Sequence, residues 1–148
     1  METISLSTYR IHLGPAATPL GALLEAGDYS QLLVLVDQHT ESLCLPRLAP
    51  VLAPYGYSLL RIPAGEQHKN IASCQSIWQQ LIAARADRQA LVINLGGGVI
   101  GDMGGFCAAT FKRGLSFVQV PTTLLAQVDA SIGGKLGIDF GQVKNSIG

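Results

Sequence analysis

Ala90-Leu-Val-Ile-Asn-Leu-Gly96-Gly97-Gly98-Val99-Ile100-Gly101-Asp102 is the stretch that decides how this chain folds. Residues 90–95 are nearly all apolar and rich in Val, Ile and Leu, the pattern of a strand buried on both faces. The run passes directly into three glycines. They permit a tight turn and let backbone N–H groups approach a ligand that any Cβ would hold off. Residues 99–110 read as a small-residue helix whose N-terminus faces that turn. Strand, glycine turn and helix N-terminus together form an anion site suited to a pyrophosphate. Gly96, Gly98 and Gly101 carry the G-x-G-x-x-G spacing. Glycines at that spacing also serve plain turns and close helix packing, so the flanking strand and helix are what give the pattern weight.

Outward from this stretch, apolar strands alternate with helices. Residues 3–7 and 9–13 alternate like short strands, and 19–26 places Leu20, Leu23 and Leu24 on one helical face. Residues 32–36 form an apolar strand ending at Asp37, and 40–53 read as helix, interrupted or restarted by Pro46 and Pro50. A third strand spans 57–62. Asn70 caps a helix in which Ile71, Cys74, Ile77, Trp78, Leu81 and Ile82 recur at helical spacing. Residues 116–120 form a further apolar strand stopped by Pro121-Thr122-Thr123, with a short helix after it. The Gly-rich residues 129–148 read as an irregular, mobile tail without a closing element, as though the chain were cut there. Such alternation predicts an α/β, Rossmann-like, doubly wound and mostly parallel sheet, with residues 1–148 as one domain.

Asp37, Gly65-Glu66, Gly96-Gly97-Gly98 and Thr122-Thr123 each follow a separate strand. In open parallel sheets ligands bind beyond the carboxyl ends of the strands. Polar loops are common, but four polar or glycine-rich segments on one edge point to a site.

At 148 residues the chain can bury a substantial core, and with 48% hydrophobic against 14% charged residues its surface is lean in charge. That hints at apolar surface meant for another domain or subunit. Zero net charge gives no support for nucleic-acid or acidic-membrane binding, so any anion site must be local. Cys44, Cys74 and Cys107 are odd in number and widely spaced, which predicts reduced thiols and a cytoplasmic protein. Neither a signal peptide nor a membrane span is visible.

Asp37 can accept hydrogen bonds from two ribose hydroxyls, or cap the following helix. It precedes the glycines, whereas the acidic residue of a standard dinucleotide fold follows them by about 20 residues. Glu66 and Lys69 suit a ribose or phosphate, or pair with each other on the surface. Asp102 lies in the first turn of a helix, where it offsets the dipole or reaches the nicotinamide end. Thr122 and Thr123 offer hydroxyls, though Pro-Thr-Thr is also an ordinary turn. Arg113, Lys135 and Lys144 together suit a substrate bearing phosphate and carboxylate. Ser131-Ile-Gly-Gly-Lys135 resembles half of a phosphate loop. Leu136 stands where a magnesium-binding hydroxyl belongs, so a nucleotide triphosphatase is rejected. His12, His39 and His68 lack metal-ligand spacing.

Gly96 to Asp102, Arg113-Gly114, the run Gln119-Val-Pro-Thr-Thr-Leu-Leu-Ala-Gln-Val-Asp-Ala-Ser-Ile-Gly-Gly-Lys135 and Lys144-Asn145 together resemble the 3-dehydroquinate synthase family. Pro63-Ala-Gly-Glu-Gln-His-Lys69 resembles an earlier signature of that family. The resemblance implies NAD over Gly97, Gly98 and Val99, with Asp37, Glu66 and Lys69 at its adenosine side and Asp102, Thr122 and Thr123 toward the rest. It implies that Asp129, Lys135, Lys144 and Asn145 hold a phosphorylated sugar acid, 3-deoxy-D-arabino-heptulosonate 7-phosphate. In that dimeric family, Arg113 would reach substrate in the partner subunit. It further implies a divalent metal, zinc or cobalt, whose Glu and His ligands belong to a helical C-terminal domain that these residues do not include. On that reading the chain is the NAD-binding half, inactive alone. Competing readings are a related cyclase of the 2-deoxy-scyllo-inosose synthase type, a glycerol dehydrogenase-like enzyme, or a module that only binds nucleotide or assembles.

Overall fold

The computed structural model describes residues Met1–Gly148. Strands β1 (Glu2–Ser5) and β2 (Arg10–Leu13) pair antiparallel as an exposed hairpin apart from the main sheet. Helix α1 (Ala17–Ala26) follows, then β3 (Leu32–Val36), which is buried at every position. Helices α2 (Gln38–Leu43) and α3 (Leu45–Leu52) lead to β4 (Ser58–Arg61). Helix α4 (Ile71–Ala83) leads to β5 (Leu91–Gly96), and α5 (Gly98–Thr110) to β6 (Ser116–Pro121).

The main sheet has the order β4-β3-β5-β6, and each pairing is parallel. Strand periodicity explains its uniform hydrophobicity. Leu32, Val34 and Val36 pack on one side with Leu20, Leu24, Leu48 and Leu52 of α1 and α3. Leu33 and Leu35 point to the other, against Ile77 and Leu81 of α4 and Met103 and Cys107 of α5. Both faces are therefore covered, as a doubly wound sheet requires.

The connections fix where a ligand can enter. After β3 the chain turns toward the α1–α3 face; after β5 it turns toward the α4–α5 face. Because β3 and β5 are neighbours, these departures open a crevice between Asp37 and Gly97, at the reversal of strand order.

Two expectations need correction, and a third is met in an unusual form. Pro46 sits in the first turn of α3, where a missing N–H costs nothing, but Pro50 lies inside a helix that continues to Leu52. The short helix after β6 is one π-helical turn, Ala126–Ala130, closed by Ser131 N donating to Ala126 O at 3.0 Å. The tail is not wholly irregular: β7 (Ile138–Phe140) and β8 (Val143–Ile147) form an antiparallel hairpin. Its glycines, at 137, 141 and 148, lie outside the strands, so a Gly-rich composition concealed two short strands.

Candidate functional site

The crevice at the strand ends has a volume of about 410 Å³. Asp37, His39 and Thr40 line one wall, Gly97, Gly98 and Val99 the other, and Thr122 and Thr123 close the end. Asp37 caps α2: its Oδ1 accepts from His39 N at 2.9 Å and Thr40 N at 2.8 Å, while Asp37 N donates to Thr40 Oγ1 at 3.0 Å. One carboxylate oxygen serves the helix, and Oδ2 takes no part in these bonds. The cap and a ligand contact are therefore compatible.

Gly97 and Gly98 build the opposite wall by lacking side chains. A Cβ on Gly97 would lie 3.1 Å from Thr123 Cγ2, and one on Gly98 would lie 3.3 Å from Ala130 Cβ. Their role here is to leave room. The first N–H groups of α5 have no intrahelical acceptor and carry the positive end of its dipole. An uncrowded row of such donors opposite a carboxylate suits a diphosphate flanked by a ribose.

Beside the crevice lies an ion cluster. Lys69, 6% exposed, donates from Nζ to Asp102 Oδ2 at 2.7 Å and to Asn145 Oδ1 at 2.6 Å. Glu66 does not pair with Lys69; it accepts from Lys144 Nζ at 2.8 Å. That carboxylate holds the Lys144 ammonium above its usual range. Asp139 N donates to Lys69 O at 3.0 Å, and Asn145, at φ 50°, donates from N to Asp139 Oδ1 at 2.8 Å. The C-terminal hairpin is thereby fastened to the segment after β4. Asp102 sits in the second turn of α5 rather than facing the crevice, because Lys69 draws its carboxylate sideways.

Asp129 and Lys135 form a separate exposed pair at 3.1 Å. The intervening loop is tied to the β1–β2 hairpin, where Gly133 N donates to Tyr9 Oη at 2.8 Å. Arg113 is not brought to this edge. It is exposed, at φ 67°, in the turn between α5 and β6, at the opposite end of the sheet. The length of α5, about 20 Å at 1.5 Å per residue, separates it from Gly97. No group of three or more His, Cys, Asp or Glu side chains converges as a metal site. No helix is long and apolar enough to cross a membrane.

Sequence reasoning gave no ligand role to His39 or Thr40, which line the crevice beside residues it did select, and Gly65, placed at this edge from the sequence, lines it too. It also passed over Asn94, the one polar residue in the apolar run of β5. An amide at a position with both faces covered was the available signal.

Comparison with known proteins gives a consistent result. A family model described as 3-dehydroquinate synthase N-terminal matches residues 59–148. A 3-dehydroquinate synthase of Pseudomonas fluorescens (strain SBW25) is 45% identical over 153 residues, covering 100% of this chain and 42% of the relative. Among solved structures, a 2-epi-5-epi-valiolone synthase from Streptomyces hygroscopicus subsp. jinggangensis 5008, with NAD+ and Zn2+ bound, superposes with TM-score 0.83 at 30% identity. It is covered to 42% of its length, and this chain to 100%. A 2-deoxy-scyllo-inosose synthase complexed with carbaglucose-6-phosphate, NAD+ and Co2+ superposes with TM-score 0.85 at 22% identity, covering 99% of this chain and 42% of that one. The last likeness is one of fold.

Proposed function

Since this chain belongs to the 3-dehydroquinate synthase N-terminal family, we propose that residues 1–148 are the NAD-binding part of a 3-dehydroquinate synthase. Its reaction converts 3-deoxy-D-arabino-heptulosonate 7-phosphate to 3-dehydroquinate and phosphate. The observation that carries the reading is the switch-point crevice, where a carboxylate faces a side-chain-free helix N-terminus.

In this reading the amides of Gly97, Gly98 and Val99 hold the diphosphate of NAD, and Asp37 Oδ2 accepts from ribose hydroxyls. Thr122 and Thr123 present hydroxyls beyond the diphosphate. Glu66, Lys69 and Asp102 form the charged flank. Lys135, Lys144, Asp129 and Asn145 hold a substrate that carries phosphate and carboxylate, the two cations meeting its anions. Bound NAD supplies a reversible hydride acceptor. Arg113, at the far end of its own sheet, acts in the crevice of a second copy in a homodimer. The family's divalent metal has no fitting ligand set among these residues, so no step is assigned to it here. The cytoplasm suits three free thiols.

Calorimetric titration of NAD into the chain tests the cofactor assignment. Saturable one-site binding is expected, and it should disappear in Gly98→Val. No heat from the native chain would overturn the assignment. The chain alone should release no phosphate from the heptulosonate phosphate, and release would refute its being only part of the catalyst. A full-length enzyme carrying these residues should prefer that substrate over glucose 6-phosphate; the reverse preference would favour the inosose synthase type.

A further inference from the structure

We infer that an internal hydration site, built for one water molecule, lies directly behind the glycine turn, between the sheet and the start of α5. Asn94 on β5 and Gln119 on β6 are register partners on neighbouring strands. Both face α5. A Cβ on Gly104 would lie 2.1 Å from Asn94 Oδ1, and one on Gly101 would lie 3.3 Å from Gln119 Oε1. Gln119 Nε2 donates to Gly101 O at 3.0 Å and so pins the first turn of the helix.

Three atoms of this amide pair remain buried without a partner: Asn94 Nδ2, Asn94 Oδ1 and Gln119 Oε1. Asn94 is 1% exposed. Buried polar groups are normally satisfied, and both residues line a cavity of about 10 Å³. That volume is the lower limit for a single water and excludes any larger ligand. Two of the three atoms fit one water, and Asn94 Oδ1 lies on the Gly104 side. A water can accept from Asn94 Nδ2 and donate to Gln119 Oε1. Its second proton can reach Ser131 Oγ, which lines the cavity and has committed its own proton to Ala126 O at 2.6 Å. The water would thus join β5, the edge strand β6, the π-helical turn and the helix start. The site stands on these residues alone, whatever binds in front of Gly97.

A crystal structure of the chain, with waters resolved, and a water–amide cross-relaxation spectrum test this. Expected are one isolated density peak at hydrogen-bonding distance from Asn94 Nδ2 and Gln119 Oε1, and a long-lived water signal at the Asn94 amide protons. In Gln119→Met, with circular dichroism unchanged, the signal should vanish; in Gln119→Glu, which keeps an acceptor, it should persist. Should Gln119→Met unfold, the Gln119→Glu spectrum and the native crystal structure decide. Asn94 Nδ2 donating straight to Gln119 Oε1 with no peak between, or a signal surviving in folded Gln119→Met, would overturn the site.

Discussion

Lys69 and Asp102 meet at 2.7 Å with their side chains 7% and 19% exposed, joining the segment after β4 to the second turn of α5. The lysine also reaches Asn145 Oδ1, so one ammonium ties three separate parts of the chain. Removing one partner of a buried pair leaves the other charge uncompensated.

Lys69→Met should therefore destabilise the chain by about 3 kcal/mol, the lower end for such pairs because Asp102 keeps some contact with water. Lys69→Met with Asp102→Leu should lose less than the sum of the single changes, giving a coupling energy above about 0.5 kcal/mol. Urea unfolding of the four proteins measures it. Additive losses would mean that the pair does not interact in solution.

Two glycines in and beside α5 should respond in opposite ways. Gly97→Ala should cost about 1 kcal/mol or less, because its Cβ would press on Thr123 Cγ2 at 3.1 Å, yet weaken NAD binding about tenfold or more. Gly104→Ala should improve helix propensity by about 1 kcal/mol. Its Cβ would nevertheless lie 2.1 Å from Asn94 Oδ1 and 2.6 Å from Leu35 Cδ2. A net loss of roughly 1–3 kcal/mol is expected. Denaturation and NAD titration of both variants separate the outcomes.

Acid should act on two carboxylates, the half-buried Glu41 and the exposed Asp87. The Arg61 guanidinium, hydrogen-bonded to Glu41, holds that carboxyl below its usual range. The Ser30 hydroxyl, then the Gln89 amide, do the same for Asp87. A lowered folded pKa stabilises above the ordinary carboxylate range and loses that contribution as pH falls through the lowered value. The urea midpoint should decline along this acid limb, and Asp87→Asn should flatten it. Lys144 behaves inversely: its contribution is full below the usual lysine range and fades as pH rises through its raised value. On the alkaline side, the β7–β8 tie to Glu66 should therefore hold until strong alkali, visible as faster amide exchange in 138–147 than in β3 at the same pH.

Thiol reagents should distinguish the three cysteines. Cys74 and Cys107 are fully buried, and the neighbouring Cys74 sulfur together with burial pushes the Cys107 thiol far up, out of the reactive range. Cys44 is partly exposed and lines the crevice. Mass spectrometry after brief alkylation should find the label on Cys44 alone, with NAD slowing it. Early modification of Cys107 would contradict the packing of α4 against α5.

The sheet was legible because its determinants are local. Apolar runs marked β3 and β5, and Asn70, read as a cap, accepts from Ser73 N at 3.0 Å. The edge was legible too, since parallel strands place Asp37, Gly97 and Thr122 together once the topology is known. Partner choice was not. Lys69 finds Asp102 across 33 residues, and Lys144 finds Glu66 across 78, while the near pair Glu66 and Lys69 does not form. Such pairings depend on where helices dock, which periodicity along the chain does not encode. The β7–β8 hairpin escaped for a related reason: its strands are short and exposed, and they lack the hydrophobic alternation that announces a buried face.

Helix α5 holds four glycines, Gly98, Gly101, Gly104 and Gly105, in 13 residues. Each is worse than Ala by about 1 kcal/mol in a helix interior, so the segment forfeits several kcal/mol against a domain stability of about 5–15. It persists as a helix only while docked on β5 and β6. The donors proposed to receive the diphosphate therefore exist only in the assembled fold, and cofactor saturation should act as a thermal brace for the whole chain. Melting temperature should climb with the logarithm of NAD concentration once the site fills, making heat resistance itself a gauge of recognition.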